Sequence, residues 1–168
     1  MATYPNIEIG DLVTADLLDS MLPQRIRKAS DENAPASTIT VQDDDELLLP
    51  VEASATYFVT AWLRYTAVSN TPDLRLNYSY PAGASFARAD YGPPNATTTQ
   101  SDTVDYGIAT TGDNGRGAGT IERALWVIGE LTTSGTAGTF RVRFGQVTSS
   151  VDLVTMKAGS RLEIVRYA

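Results

Sequence analysis

From residue 38 onward the chain is a succession of short β-type runs separated by turn residues, and that pattern sets its fold class. Thr56-Tyr57-Phe58-Val59-Thr60-Ala61-Trp62-Leu63-Arg64-Tyr65 is rich in aromatic and β-branched residues, which suit a pleated strand. Thr38-Ile39-Thr40-Val41 and Asp73-Leu74-Arg75-Leu76-Asn77-Tyr78 alternate with period two, and Glu46-Leu47-Leu48-Leu49 is a short apolar run. Further strands are predicted over 103–109, 121–131, 139–147, 151–155 and 161–167. Turn signals fall between them: Asn70-Thr71-Pro72, Pro81-Ala82-Gly83, Gly92-Pro93-Pro94-Asn95, Ser134-Gly135 and Ala158-Gly159. Short strands with no convincing helix between them predict an all-β fold, an antiparallel sandwich or barrel. The polar stretch 85–120 is expected to form one or two long loops at one end.

The first 37 residues differ. Thr14 can cap a helix over Ala15–Leu22, Pro23 ends it, and Leu17, Leu18, Met21 and Leu22 give it one apolar face. A helix of two turns is marginal alone and must dock on something. Gln24-Arg25-Ile26-Arg27-Lys28 follows as a short basic patch, and residues 29–37 read as a solvated linker. The expected organisation is therefore an arm over 1–37 and a β domain over 38–168. The arm's alternative role is to reach a neighbouring subunit or an acidic platform, with the basic patch as its electrostatic handle.

Composition removes most chemistry. The 168 residues contain no cysteine and no histidine, which excludes disulfides, thiolate or imidazole metal ligands, cysteine nucleophiles and Ser-His-Asp triads. A formal charge of −7 argues against nucleic acid as a partner. The longest apolar runs fall far short of the roughly 20 residues of a membrane-spanning helix, and the first residues do not read as a secretory signal. No membrane, no cofactor and no enzymatic activity are expected.

Candidate sites are few. Asp43-Asp44-Asp45-Glu46 is contiguous and lacks the alternate spacing and glycine of a calcium loop, so it reads as a charged turn that discourages edge pairing. The glycine-rich stretch Gly112–Thr120 leads into a strand instead of a helix, unlike a phosphate-binding loop. Asp90, Asp102, Asp105, Glu122, Glu130 and Glu163 are the carboxylates a glycosidase cleft would draw on, and sequence alone pairs none of them. Tyr57, Phe58, Trp62, Tyr65, Tyr78, Tyr80, Trp126, Phe140 and Phe144 lie mostly on strand candidates, where core packing accounts for most. Tyr78, Tyr80, Phe86 and Tyr91 flank or enter the loop region, which makes them candidates for a sugar-stacking or subunit-facing surface.

The order of four passages resembles small virion proteins of tailed phages that infect actinobacteria: residues 10–23, GDLVTADLLDSMLP; residues 45–57, DELLLPVEASATY; residues 80–84, YPAGA; and residues 138–146, GTFRVRFGQ, with KAGSRL at 157–162. The resemblance implies a jelly-roll-like β-sandwich with a short N-terminal helical arm, a homotrimer on the outer surface of the particle, and a role as a capsid decoration protein or head fibre. A minor tail protein recognising host surface glycan is the other implied role. The partner would be the major capsid protein or another virion protein. The particle-binding foot would be Ile7, Leu12, Val13, Leu17, Leu18, Met21 and Leu22 with the basic Arg25, Arg27 and Lys28.

Overall fold

The computed structural model describes residues 7, 9–92, 103–109 and 114–168; for Asp16, Asp19, Ser20 and the residues of 103–115 it describes no side chain. Among the described residues the elements are α1 (Ala15–Met21), β1 (Gln24–Arg27), β2 (Glu32–Asn33), β3 (Gln42–Val51), β4 (Thr56–Ala67), β5 (Leu74–Ser79), β6 (Ser85–Gly92), β7 (Thr103–Ala109), β8 (Asn114–Arg116), β9 (Arg123–Thr132), β10 (Gly138–Gln146), β11 (Val154–Met156) and β12 (Arg161–Arg166). The protein is all-β in its core architecture, with two antiparallel sheets.

Strands β3 to β10 pair as a nested set: β3 with β10, β4 with β9, β5 with β8 and β6 with β7. Two further pairings, β10 with β5 and β9 with β6, join these ribbons side by side. The small sheet runs β3-β10-β5-β8, and the large one runs β1-β12-β4-β9-β6-β7, with β11 between β4 and β2. Period two decides which side chains enter the core. Along β4, Tyr57, Val59, Ala61, Leu63 and Tyr65 point inward and are buried. They face Leu47, Leu49, Leu76, Val142 and Phe144 of the small sheet.

The turn signal at Pro81-Ala82-Gly83 is used as read. Ala84 N donates to Pro81 O at 3.1 Å and Gly83 has φ +77°, the type II geometry that favours glycine at the third position. At Gly129 the need is space: a Cβ there would stand 2.5 Å from Phe86 Cε2. The ring of Phe86 fills that space and meets Phe140 edge-on, with centroids 4.9 Å apart.

Four expectations change. Residues 85–120 are not mainly loop, because β6, β7 and β8 lie within them; residues 93–102 and 110–113, with part of the glycine-rich stretch, lie outside the described residues. The acidic run is strand and not turn: it opens β3, where alternation turns Asp44 into the core and leaves Asp43 and Asp45 exposed. Residues 38–41 precede β3 and are not in a strand. The division at residue 37 does not follow the pairing either, since β1 pairs with β12 and β2 with β11. The segment before the sandwich ends at Pro23.

What draws residues 24–34 into the sandwich is a buried lysine. Lys28 is fully buried, and its Nζ donates to Glu32 Oε2 at 2.6 Å and Asp44 Oδ1 at 2.9 Å, with Glu46 at 3.8 Å. Asp44 Oδ1 also accepts from the backbone N–H groups of Glu46 and Leu47 at 2.9 and 2.8 Å. Burial alone would lower the lysine's pKa, but the hydrogen bonds with Glu32 and Asp44 outweigh it and hold the ammonium above its usual value. Lys28 N donates to Ser160 O and Gly159 N to Lys28 O, both at 2.8 Å, so one residue ties the edge of the large sheet to β3 of the small one. A truncation through residue 28 removes this tie, whereas one ending before Pro23 leaves it. Breaking a buried ion pair from one side costs about 3 kcal/mol or more. Lys28→Met is expected to lower stability by that amount, read as a lower midpoint in urea unfolding; an unchanged midpoint would mean that the cluster does not hold the segment.

Candidate functional site

The leader carries side chains that the sandwich does not use. Thr14 caps α1 as its residue type suggests, with its Oγ1 accepting from Leu17 N at 3.2 Å. Leu17 is half-buried, and α1 approaches β12. Leu12 is 82% exposed, Leu22 60% and Leu18 52%; Ile7, Val13 and Met21 are exposed as well.

The basic patch does not belong to this arm. Arg25 and Arg27 lie on β1, Arg25 pairs with Glu163 on β12 at 2.8 Å, and Lys28 is buried. Lys28 is therefore no surface handle, because its charge is consumed by carboxylates within the fold. The arm proper, residues 1–23, holds Glu8, Asp11, Asp16 and Asp19 and no lysine or arginine. Its charge is opposite to that expected of the foot.

The loop aromatics are also placed differently. Tyr78 and Phe86 are buried core residues whose rings meet at 5.1 Å, and Tyr78 stacks on Phe140. They are not a ligand surface, since alternation along β5 and β6 turns both inward. Burial raises the Tyr78 hydroxyl well above its usual pKa. Tyr80 is half-buried against the core. Tyr91 is half-buried and lies opposite Trp126 in the β6–β9 register.

That register leads to the surface sequence reasoning missed. Arg27, Arg161, Trp62, Trp126 and Tyr91 are successive partners across β1, β12, β4, β9 and β6. They form one row on the outer face of the large sheet. Trp62 and Trp126 are 41% and 47% exposed and meet edge-on at 5.7 Å. Phe58 is exposed on the same face, two positions removed along β4 from Thr60. Arg27 and Arg161 stand directly opposite one another, a like-charge pair that is unfavourable in a sheet; both are exposed and neither has an ion-pair partner among the described residues. The signal lay in the parity of β4: Phe58 and Trp62 share the phase of Thr56, Thr60 and Arg64, not that of Tyr57, Val59 and Leu63.

The candidate carboxylates have separate settings. Asp90 is buried beside Arg88 at 3.3 Å, Glu122 pairs with Arg64 at 2.5 Å, Glu130 is hydrogen-bonded by Tyr167, and Glu163 holds Arg25. Asp102 and the side chain of Asp105 lie outside the described residues.

No family model matches the sequence, and no curated protein matches it. Solved structures that overlap it include a chain of the infectious bursal disease virus Gt strain, at 10% identity and TM-score 0.22, covering 87% of this chain and 41% of that one. A chain of the infectious bursal disease virus VP2 subviral particle overlaps at 12% identity and TM-score 0.21, covering 87% and 40%. The chain thus spans about two fifths of the length of these neighbours.

The turn that follows β1 is fixed by carboxylates. Glu46 accepts from Ser30 Oγ at 2.7 Å, Ala29 N at 2.5 Å and Ser30 N at 3.1 Å. These bonds, that of Ser30 Oγ first, lower its pKa from 4.5 to about 2. Asp31 is lowered too, by Lys157 and by the backbone N–H of Ala158. A depressed carboxyl pKa contributes stability that is present above the unfolded value and lost as pH falls through the folded one. The contribution of Glu46 is therefore expected to disappear between pH 4.5 and about 2. Glu46→Gln should flatten that acid limb in a plot of unfolding midpoint against pH, and an unaltered limb would assign the acid sensitivity elsewhere.

Proposed function

We propose that this chain is a virion structural protein of the decoration type: a jelly roll on the outside of a particle, held there by its acidic, apolar leader. The nested pairing of β3 to β10 supports the jelly roll, because four concentric antiparallel ribbons rolled into two sheets generate the orders β3-β10-β5-β8 and β4-β9-β6-β7. The passages that resemble actinobacteriophage virion proteins support the particle.

One observation carries the arm: Leu12, Leu18 and Leu22 are exposed next to a folded sandwich that does not cover them. Exposed apolar side chains of this kind are stabilised by a partner surface, and a decorating protein works by binding the assembled state better than its parts. The leader's charge asks for a basic rim around that partner surface, where the basic patch read from sequence asked for an acidic one. Self-association into a trimer on the shell is part of this reading, and major capsid protein or a neighbouring virion protein is the partner class. Tail-tip placement with glycan binding is the competing reading, and abundance separates the two.

Quantitative mass spectrometry of purified particles is expected to find hundreds of copies, against a handful for a tail tip. The full chain carrying Leu18→Asp and Leu22→Asp should fold, judged by circular dichroism, and lose at least tenfold in particle occupancy. Undiminished occupancy would remove the leader from the attachment.

A further inference from the structure

We infer that Lys28 and Asp44 join covalently: Nζ of Lys28 condenses with the side-chain carboxyl of Asp44 to give an isopeptide bond and one water, with Glu32 carrying the protons. The inference stands on the buried cluster alone and is independent of the virion reading.

An amide-forming site needs a nucleophile against a carbonyl carbon, a stabiliser for the oxygen that takes up charge, and a proton carrier. All three meet here. Nζ lies 2.9 Å from Asp44 Oδ1, and one C–O bond length then puts it within about 4.1 Å of Cγ. Both side chains are buried, so the reactants are held together and escape the entropy cost of an encounter. Oδ1 also accepts from the backbone N–H groups of Glu46 at 2.9 Å and Leu47 at 2.8 Å. Two fixed donors of this kind stabilise the charge that gathers on an oxygen when nitrogen adds to its carbon. The other oxygen, Oδ2, is buried and has no hydrogen-bond partner among the described residues, which leaves it as the departing atom.

Glu32 is the proton carrier. Its Oε2 accepts from Nζ at 2.6 Å, within the reach a general base requires. Gln42 Nε2 donates to Oε1 at 2.7 Å and Asp45 N to Oε2 at 3.2 Å, and these bonds hold the carboxylate in place. At rest Nζ carries three protons and Asp44 none. Glu32 relays two of them to Oδ2, one before nitrogen adds to Cγ and one as the Cγ–Oδ2 bond breaks. The nitrogen lone pair forms the new bond, Oδ2 departs with its electron pair as water, and the third proton stays on the amide. The positive charge of Lys28 and the negative charge of Asp44 cancel, so no other reactant is needed.

Burial sets the direction. Two ions in a site closed to water carry a desolvation cost that a neutral amide does not. The amide keeps Oδ1 as its carbonyl oxygen, so the N–H groups of Glu46 and Leu47 retain their acceptor. The product ties the residue after β1, at the edge of the large sheet, to β3 of the small one. A covalent tie also restricts the unfolded chain, as a disulfide does, and this chain has no cysteine with which to make one.

The intact mass of the full chain, purified folded and measured in denaturant, is expected to fall short of the sequence mass by one water. After unfolding, cleavage at glutamates should release residues 9–32 and 33–46 as one joined species, and fragmentation should place the join between Lys28 and Asp44. Glu32→Gln, with its fold checked by circular dichroism, should show the water loss in at least tenfold fewer molecules purified in parallel. A full sequence mass after prolonged incubation of the folded protein overturns the proposal, as does a water loss mapped to any other pair of residues. An undiminished loss in folded Glu32→Gln overturns the role given to Glu32.

Discussion

The sandwich depends at one edge on the ammonium of Lys28. Buried lysines are rare because desolvating the charge costs several kcal/mol, and they persist where carboxylates and hydrogen bonds compensate. Glu32 comes from four residues away and Asp44 from sixteen, so the compensation is complete only when the segment of residues 24–34 lies against β3. The same segment adds β1 to the side of β12 and β2 to β11. Edge strands with open ladders invite pairing with other chains. Here short added strands cover one edge of the large sheet, while Asp43 and Asp45 charge the exposed positions of β3, itself an edge of the small sheet.

Fixing that edge also fixes where the leader starts. Glu46 holds Ala29 and Ser30, and Asp31 holds Lys157 and Ala158, so the chain leaves the sandwich at β1 in a set direction. An arm rooted in a rigid strand loses less freedom on docking than one that follows a floppy linker, and less lost freedom means tighter binding for the same contact area. The stretch that reads as a linker is the opposite in structure, and this changes what the leader can do.

Much of the fold was legible because it rests on local physics. β7 occupies the predicted 103–109, β5 and β10 fall within a residue of their expected bounds, and the Pro81–Ala84 turn follows from its proline and glycine. Thr14 caps the helix because its hydroxyl needs only the N–H three residues on. What was not legible needed pairing across long separations. A lysine in a basic, polar passage reads as solvated until Asp44 is known to face it. Phe58, Trp62 and Trp126 read as core because large aromatics usually are, and only the shared phase with Thr56, Thr60 and Arg64 turns them outward. Phe86 reads in the other direction, since a stretch with the composition of a loop in fact supplies β6, whose alternation carries Phe86 inside.

The two outer faces then differ in kind. On the small sheet Arg141 and Arg143 both reach Asp43, at 2.6 and 2.7 Å, and Arg75 donates to Ile39 O at 2.7 Å. Such exposed pairs contribute about 0–1 kcal/mol each; their effect is a face whose charges are already answered and which offers little to a partner. The large sheet leaves Arg27 and Arg161 unanswered beside two indoles. Water solvates an arginine well and an indole face poorly, so covering this row releases water from apolar area while exchanging one set of hydrogen bonds for another. The asymmetry follows from strand parity: the outward positions of β3 and β10 carry charges that pair with each other, whereas those of β4, β9 and β12 carry two indoles and an arginine that faces Arg27.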